Sequence, residues 1–203
     1  GQVLILLALW GDQVVTVPAA RRRADVIVGK LLQDADARRW WSLSIDFRLL
    51  AEASPAAFLS AIEDSLDKDD PPISALFGHE EGGIFGAEHL SDLMWALEAL
   101  AWSPDWMPRV TYVLARLDAL DVKPRRFSNG PAGSLRQLHL LWNPQTFASL
   151  DDRLRALDLI RKRESDAAWK LMLGILQRGH DSSSPSPMPR WRDFSVDRVE
   201  PVT

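Results

Sequence analysis

The stretch Trp41-Ser42-Leu43-Ser44-Ile45-Asp46-Phe47-Arg48-Leu49 decides the fold class, because its letters fit two periods at once. Apolar and polar residues alternate from Trp41 to Leu49, the pattern of a strand with one face buried. The same region also sets Trp40, Leu43, Phe47 and Leu50 at helical spacing. A strand needs a neighbour to satisfy its backbone N–H and C=O groups, and no second alternating run stands ready to pair with it. The stretch therefore reads as helix, and the chain as all-α.

The flanks agree. On the N-terminal side Ala24, Ile27, Val28, Leu31, Leu32 and Ala35 form the stripe of an amphipathic helix over about 19–36. On the C-terminal side Ser54-Pro55 reads as an N-cap followed by proline at the first helical position, ahead of Phe58, Leu59, Ile62 and Leu66. The acidic breaker Asp67 to Pro72 and the glycine-punctuated Gly78 to Gly86 read as loop. A helix over about 88–102 turns Leu90, Leu93, Met94, Leu97, Leu100 and Ala101 inward. Pro108 then makes Asp105, rather than Ser103, the cap of the next helix, whose stripe is Val110, Val113, Leu114 and Leu117. Ser134 to Gln137 spells a capping box opening a short helix to Trp142, which Asn143-Pro144 ends. Ser149 and Ser165 cap helices over about 150–163 and 165–178, and Gly179 stops the second.

These signals add up to about eight or nine helices in irregular stacked hairpins, an α-solenoid-like array over 1–180. A Ser/Pro-rich tail, partly irregular, follows over 181–203, with Asp181 to Pro189 expected to be mobile. Cap serines recur three or four residues before an aromatic at Ser54, Ser103 and Ser165, as stacked pairs would have them, at spacings too uneven for a named repeat class.

With 203 residues, 46% hydrophobic and 26% charged, the chain can bury a sizeable core without covalent staples. The absence of cysteine excludes disulfides, zinc–thiolate sites, iron–sulfur clusters and cysteine nucleophiles, and favours a reducing, cytoplasmic setting. Lys and Arg number 24 against 28 Asp and Glu, a net charge of −4, which argues against a general nucleic-acid binder. The apolar run Val3 to Trp10 falls short of the about 20 residues a membrane span requires. With Gly1 in place of an initiating methionine, that run reads as an apolar segment ill suited to a natural terminus, and the chain as a piece excised from a longer protein.

Three groups of residues carry a resemblance: Leu93 to Trp102 with Arg109-Val110 and Leu114 to Leu117; Gly133 to Arg136 with Leu141 to Thr146; and Pro189 to Phe194. Together, over about 50–195, they resemble the helical-repeat region of long bacterial proteins in which a nucleotide-binding module precedes the array, in the manner of STAND-type signalling and antiviral NTPases. The resemblance implies a non-catalytic module for protein recognition or signal transmission, bound to a protein partner or to other domains of its parent. It brings no functional residues with it. The NTPase itself is not expected here, since Gly29-Lys30 lies inside a predicted helix and lacks both the upstream glycine and the following Ser or Thr.

Histidine and glutamate cluster once, from His79 to His89, and define the alternative of an enzyme or metal-binding domain. The intervening glycines break the rigid i, i+4 geometry that two zinc-binding histidines need, so neither metal nor cofactor is expected, and the segment reads as loop. Ser65 and Lys68 match a Ser-x-x-Lys pattern without its companion elements, and read as a helix end. His139, among Leu138, Leu140 and Leu141, reads as a semi-buried histidine bonded to a carbonyl. Arg21 to Arg23 and Arg161 to Arg163 read as solvated helix faces, the second cluster complementing a helix C-terminus.

Nine tryptophans stand against one tyrosine. Trp95 and Trp102 are seven residues apart, on one helical face turned away from the Leu90/Leu93/Leu97 stripe. Such a second apolar face either packs between helical layers or is displayed. Packing between layers is the favoured reading, with Trp95, Trp102 and Trp106 as the interaction surface if the face is displayed, and Trp102 is expected to be buried at the corner where its helix turns at Ser103-Pro104-Asp105.

Overall fold

The computed structural model describes residues 2–13, 18–77, 89–120, 130–176 and 182–195. Among them lie ten α-helices and no strand. The helices are α1 (Gln2–Trp10), α2 (Ala20–Leu32), α3 (Ala37–Leu43), α4 (Phe47–Ala53), α5 (Pro55–Leu66), α6 (His89–Ala101), α7 (Met107–Leu120), α8 (Pro131–His139), α9 (Leu150–Arg163) and α10 (Ser165–Ile175). Short 3-10 turns cover Gly11–Gln13, Ser44–Asp46 and Pro72–Phe77. No helix of the described residues is long and apolar enough to cross a membrane.

The protein is an all-α helical array. Where the sequence predicts one array over 1–180, contacts group the chain into two compact units, 1–96 and 97–203, with the boundary inside α6.

The deciding stretch is helical, as α3, a 3-10 turn and α4 in succession. Strand pairing would set Ile45 and Phe47 on one face, yet Ile45 is 83% exposed while Phe47 is fully buried. The first helix of that region is shorter than its stripe: α2 ends at Leu32, and Asp34 takes a left-handed φ of 49°. Asp36 then caps α3, its Oδ1 accepting from Arg39 N at 2.8 Å. A strong local cap thus ends the predicted 19–36 helix early.

In the first unit α1 packs on α2 and α4, α2 on α5, and α3 on the Pro72–Phe77 turn. Its centre is aromatic: Trp40, Phe47 and Phe58 stack edge to face, with Leu59, Ile62 and Ile73 also fully buried. Gly11 is required at the turn out of α1, since a Cβ there would lie 2.4 Å from Ala20 Cβ.

In the second unit α7 packs on α8 and α9, and α10 on α8 and α9. α7 begins at Met107, later than an Asp105 cap predicts, with Pro108 in its first turn as expected. Ser134 opens no helix: Pro131, preset for the first helical position, starts α8 earlier, which places Ser134 inside it and frees its hydroxyl to donate to Glu98 at 2.6 Å. α8 ends at His139 instead of Trp142, and α10 at Ile175 instead of residue 178.

Two predicted caps do not close. The Ser54 hydroxyl makes no cap bond at α5 and is buried without a partner, and Glu164 rather than Ser165 precedes α10. Ser149 does close its capping box, accepting from Asp152 N at 3.1 Å while Asp152 Oδ2 accepts from Ser149 N at 3.3 Å. Ser149→Ala is therefore expected to lower stability by about 1 kcal/mol, read as a lower urea midpoint at unchanged slope.

The tail expected to be mobile is irregular but held over 182–194. Trp102 Nε1 donates to Pro187 O at 3.1 Å, Ser186 N to Gln145 Oε1 at 3.2 Å, and Asn143 Nδ2 to Ser183 Oγ at 2.8 Å, while Phe194 is buried. Backbone polar groups without helix partners find them on the unit's side chains instead.

Candidate functional site

Of the three tryptophans that form the alternative interaction surface, Trp95 is 41% exposed on α6. Trp102 lies on the turn just beyond α6 and is half-buried, its ring 5.0 Å from that of Phe147 and its indole N–H given to Pro187. The corner is thus closed by a returning chain segment rather than by Trp102 alone. Trp106 is half-buried beside α7, its backbone N–H donating to Ser103 O.

His79 and residues 78–88 generally lie outside the described residues; His89 is the first residue of α6. Its Nδ1 sits 2.6 Å from Ser44 Oγ, and its ring lies against Trp41 with centroids 4.4 Å apart. Asp92, one turn on, has its carboxyl pushed up by burial and pulled partly back by His89. Ser44 is only 2% exposed, so its hydroxyl fastens the 3-10 turn to α6 instead of facing solvent as a nucleophile would. Among the described residues no three His, Cys, Asp or Glu side chains gather as a metal site would need.

Ser65 and Lys68 serve separate ends. The buried Ser65 hydroxyl accepts from Ile73 N at 3.2 Å, while Lys68 reaches toward Asp34 at 3.7 Å. Gly29-Lys30 is helical, within α2. Arg21, Arg22 and Arg23 are exposed, and Arg161 and Lys162 both pair with Asp158 at 2.7 Å.

The second unit holds a polar interior. His139 is 3% exposed, and its partner is a hydroxyl rather than the expected carbonyl: Nε2 lies 3.2 Å from Thr111 Oγ1. Burial, then the charge of Arg153, pushes its pKa down to about 4, so it is neutral at pH 7. Arg153 on α9 is itself 7% exposed, and its Nη1 donates to Leu140 O at 3.0 Å. Sequence reasoning missed this arginine. The available signal was its spacing to Ala156 and Ile160, which makes it the polar member of the buried side of α9.

Around these groups the helices present apolar side chains to solvent. On α9 Leu150 is 43% and Leu154 50% exposed. On α10 Trp169 is 61% and Leu173 39% exposed, and Leu176 follows at the helix end, so the three stand at i, i+4 and i+7. In the first unit, Val3, Leu6 and Trp10 of α1 are exposed at i, i+3 and i+7. No family model, curated protein or solved structure matches this chain.

Proposed function

We propose that this chain is a non-catalytic helical-repeat module of a larger bacterial multidomain protein, one that recognises a protein partner or passes a conformational signal between domains. The parent would be of the STAND type, with a nucleotide-binding module of its own, acting in the cytoplasm. The resemblance carried by Leu93 to Trp102 and Pro189 to Phe194 supports the parent, and the lack of cysteine supports the compartment.

One observation carries the recognition role: the helix-spaced apolar side chains Trp169, Leu173 and Leu176 face solvent on a helix whose other side, Ala167, Ala168 and Leu171, is already buried. Contiguous exposed apolar surface on a folded helix marks a contact face. Replacing Trp169 and Leu173 together by glutamine is expected to change stability by less than about 1 kcal/mol, as surface substitutions do. A photocrosslinker at position 169 should give a defined protein adduct that one at the exposed Arg38 does not. A loss of several kcal/mol in the double variant, or identical adducts at both positions, would overturn the proposal.

A further inference from the structure

Arg153 occupies a position where an apolar residue belongs. It shares the buried side of α9 with Ala156 and Ile160, and its one hydrogen bond runs from Nη1 to Leu140 O, just past the end of α8. A helix C-terminus gathers about half an elementary negative charge, so that contact offsets only part of the cation. Nε is buried with no partner, and among the described residues no carboxylate reaches the guanidinium. Of the acidic residues of the same helix, Asp152 pairs with Arg155 and Asp158 with Arg161 and Lys162, while Asp151 is exposed two residues before Arg153, a spacing that turns it to another face. A buried guanidinium short of counter-charge is costly to keep, and the missing group is an anion.

A second observation says how that anion arrives. Leu150 and Leu157 lie one turn before and one turn after Arg153, and with Leu154 they make a stripe that is exposed or half-buried. The stripe therefore adjoins the unmatched charge. We propose that this face of α9 docks an acidic amphipathic helix of a partner protein, whose apolar side chains cover Leu150, Leu154 and Leu157 and whose carboxylate completes Arg153. A carboxylate suits the planar guanidinium through paired N–H donors, which makes an acidic partner the complementary one. A second copy of this chain fits poorly, because a two-fold contact would set one Arg153 face against another. The proposal rests on the recognition role above and names the chemistry of its partner.

The test uses the 203-residue chain and a labelled, helix-forming 15-residue peptide of leucine and alanine with either one central glutamate or glutamine in its place, titrated by fluorescence anisotropy. The glutamate peptide is expected to bind about tenfold tighter than the glutamine one. Arg153→Met should abolish that preference, Leu154→Gln should weaken both peptides, and Arg155→Met, which removes an exposed charge from the same helix, should change neither. If Arg153→Met does not fold, the glutamate-to-glutamine ratio on the unmodified chain and the effect of Leu154→Gln still decide. Equal binding of the two peptides, no binding, or a concentration-dependent dimer abolished by Leu154→Gln would overturn the proposal. Should these fail while the adduct at Trp169 persists, only the acidic partner falls; loss of the adduct as well removes the recognition role.

Discussion

Between pH 6.5 and about 4 the chain is expected to lose about 3 kcal/mol of stability through one side chain, His139. Burial, and secondarily the positive charge of Arg153, holds its folded pKa down at about 4, whereas an unfolded imidazole takes its proton near 6.5. In that interval the unfolded chain binds more protons than the folded one, so acid draws the equilibrium toward unfolding. The contribution is fully present above pH 6.5, falls away progressively, and is gone below about 4. Asp152, held below the ordinary carboxylate range first by its bond from Ser149 and then by Arg155, works lower: its contribution is present above 3.8 and lost as pH falls further. Urea midpoints of wild type and His139→Gln from pH 7.5 to 4 separate the two. The variant should start lower, since glutamine does not refill the imidazole site beside Thr111, and then run flatter. Parallel slopes would place the acid sensitivity elsewhere.

His139 also shows what sequence could and could not deliver. Its neighbours Leu138 and Leu140 marked a buried environment, but the hydroxyl that meets it comes from Thr111 on another helix, and the cation beside it from Arg153 on a third. Periodicity reports which side of a helix is covered; it does not report what covers it. For the same reason the stripe of α7 and the resolution of Trp41 to Leu49 as helix were readable, while the polar interior of the second unit was not. Helix ends failed where two local signals competed. Pro131 outranked the Ser134 capping box, because a cap worth about 1 kcal/mol is easily outweighed by a neighbouring backbone preference, and the cap that Asp36 forms for α3, with Asp34 left-handed before it, ended the predicted 19–36 helix at Leu32. The exposed stripe on α10 could have been read from Trp169, Leu173 and Leu176 at i, i+4, i+7, yet the tryptophan count drew attention to Trp95, Trp102 and Trp106. Trp102 carries a polar N–H, and a chain segment 85 residues away supplies its acceptor, a pairing that no local pattern announces.

Removing the ring of Phe47 is expected to cost about 3–5 kcal/mol, a large share of the stability of an ordinary domain. The ring is fully buried and stands between two others, its centroid 5.7 Å from Trp40 and 5.8 Å from Phe58, edge to face with both. Each such pair adds to the apolar area removed from water, so Phe47→Ala opens a cavity and breaks two contacts at once. The indole N–H of Trp40 is buried without a hydrogen-bond partner, which leaves packing against Phe47 to fix that side chain. Ile45→Ala, two residues away, should change stability by no more than about 0.5 kcal/mol, because that side chain is 83% exposed. The contrast is a property of the helical register. In a strand, positions 45 and 47 would share a face and their truncations would cost alike. Urea unfolding of the two variants thus measures the period of the deciding stretch directly: a steep loss at Phe47 with none at Ile45 follows from α3, the Ser44–Asp46 turn and α4 as built, and comparable losses at both positions would contradict it.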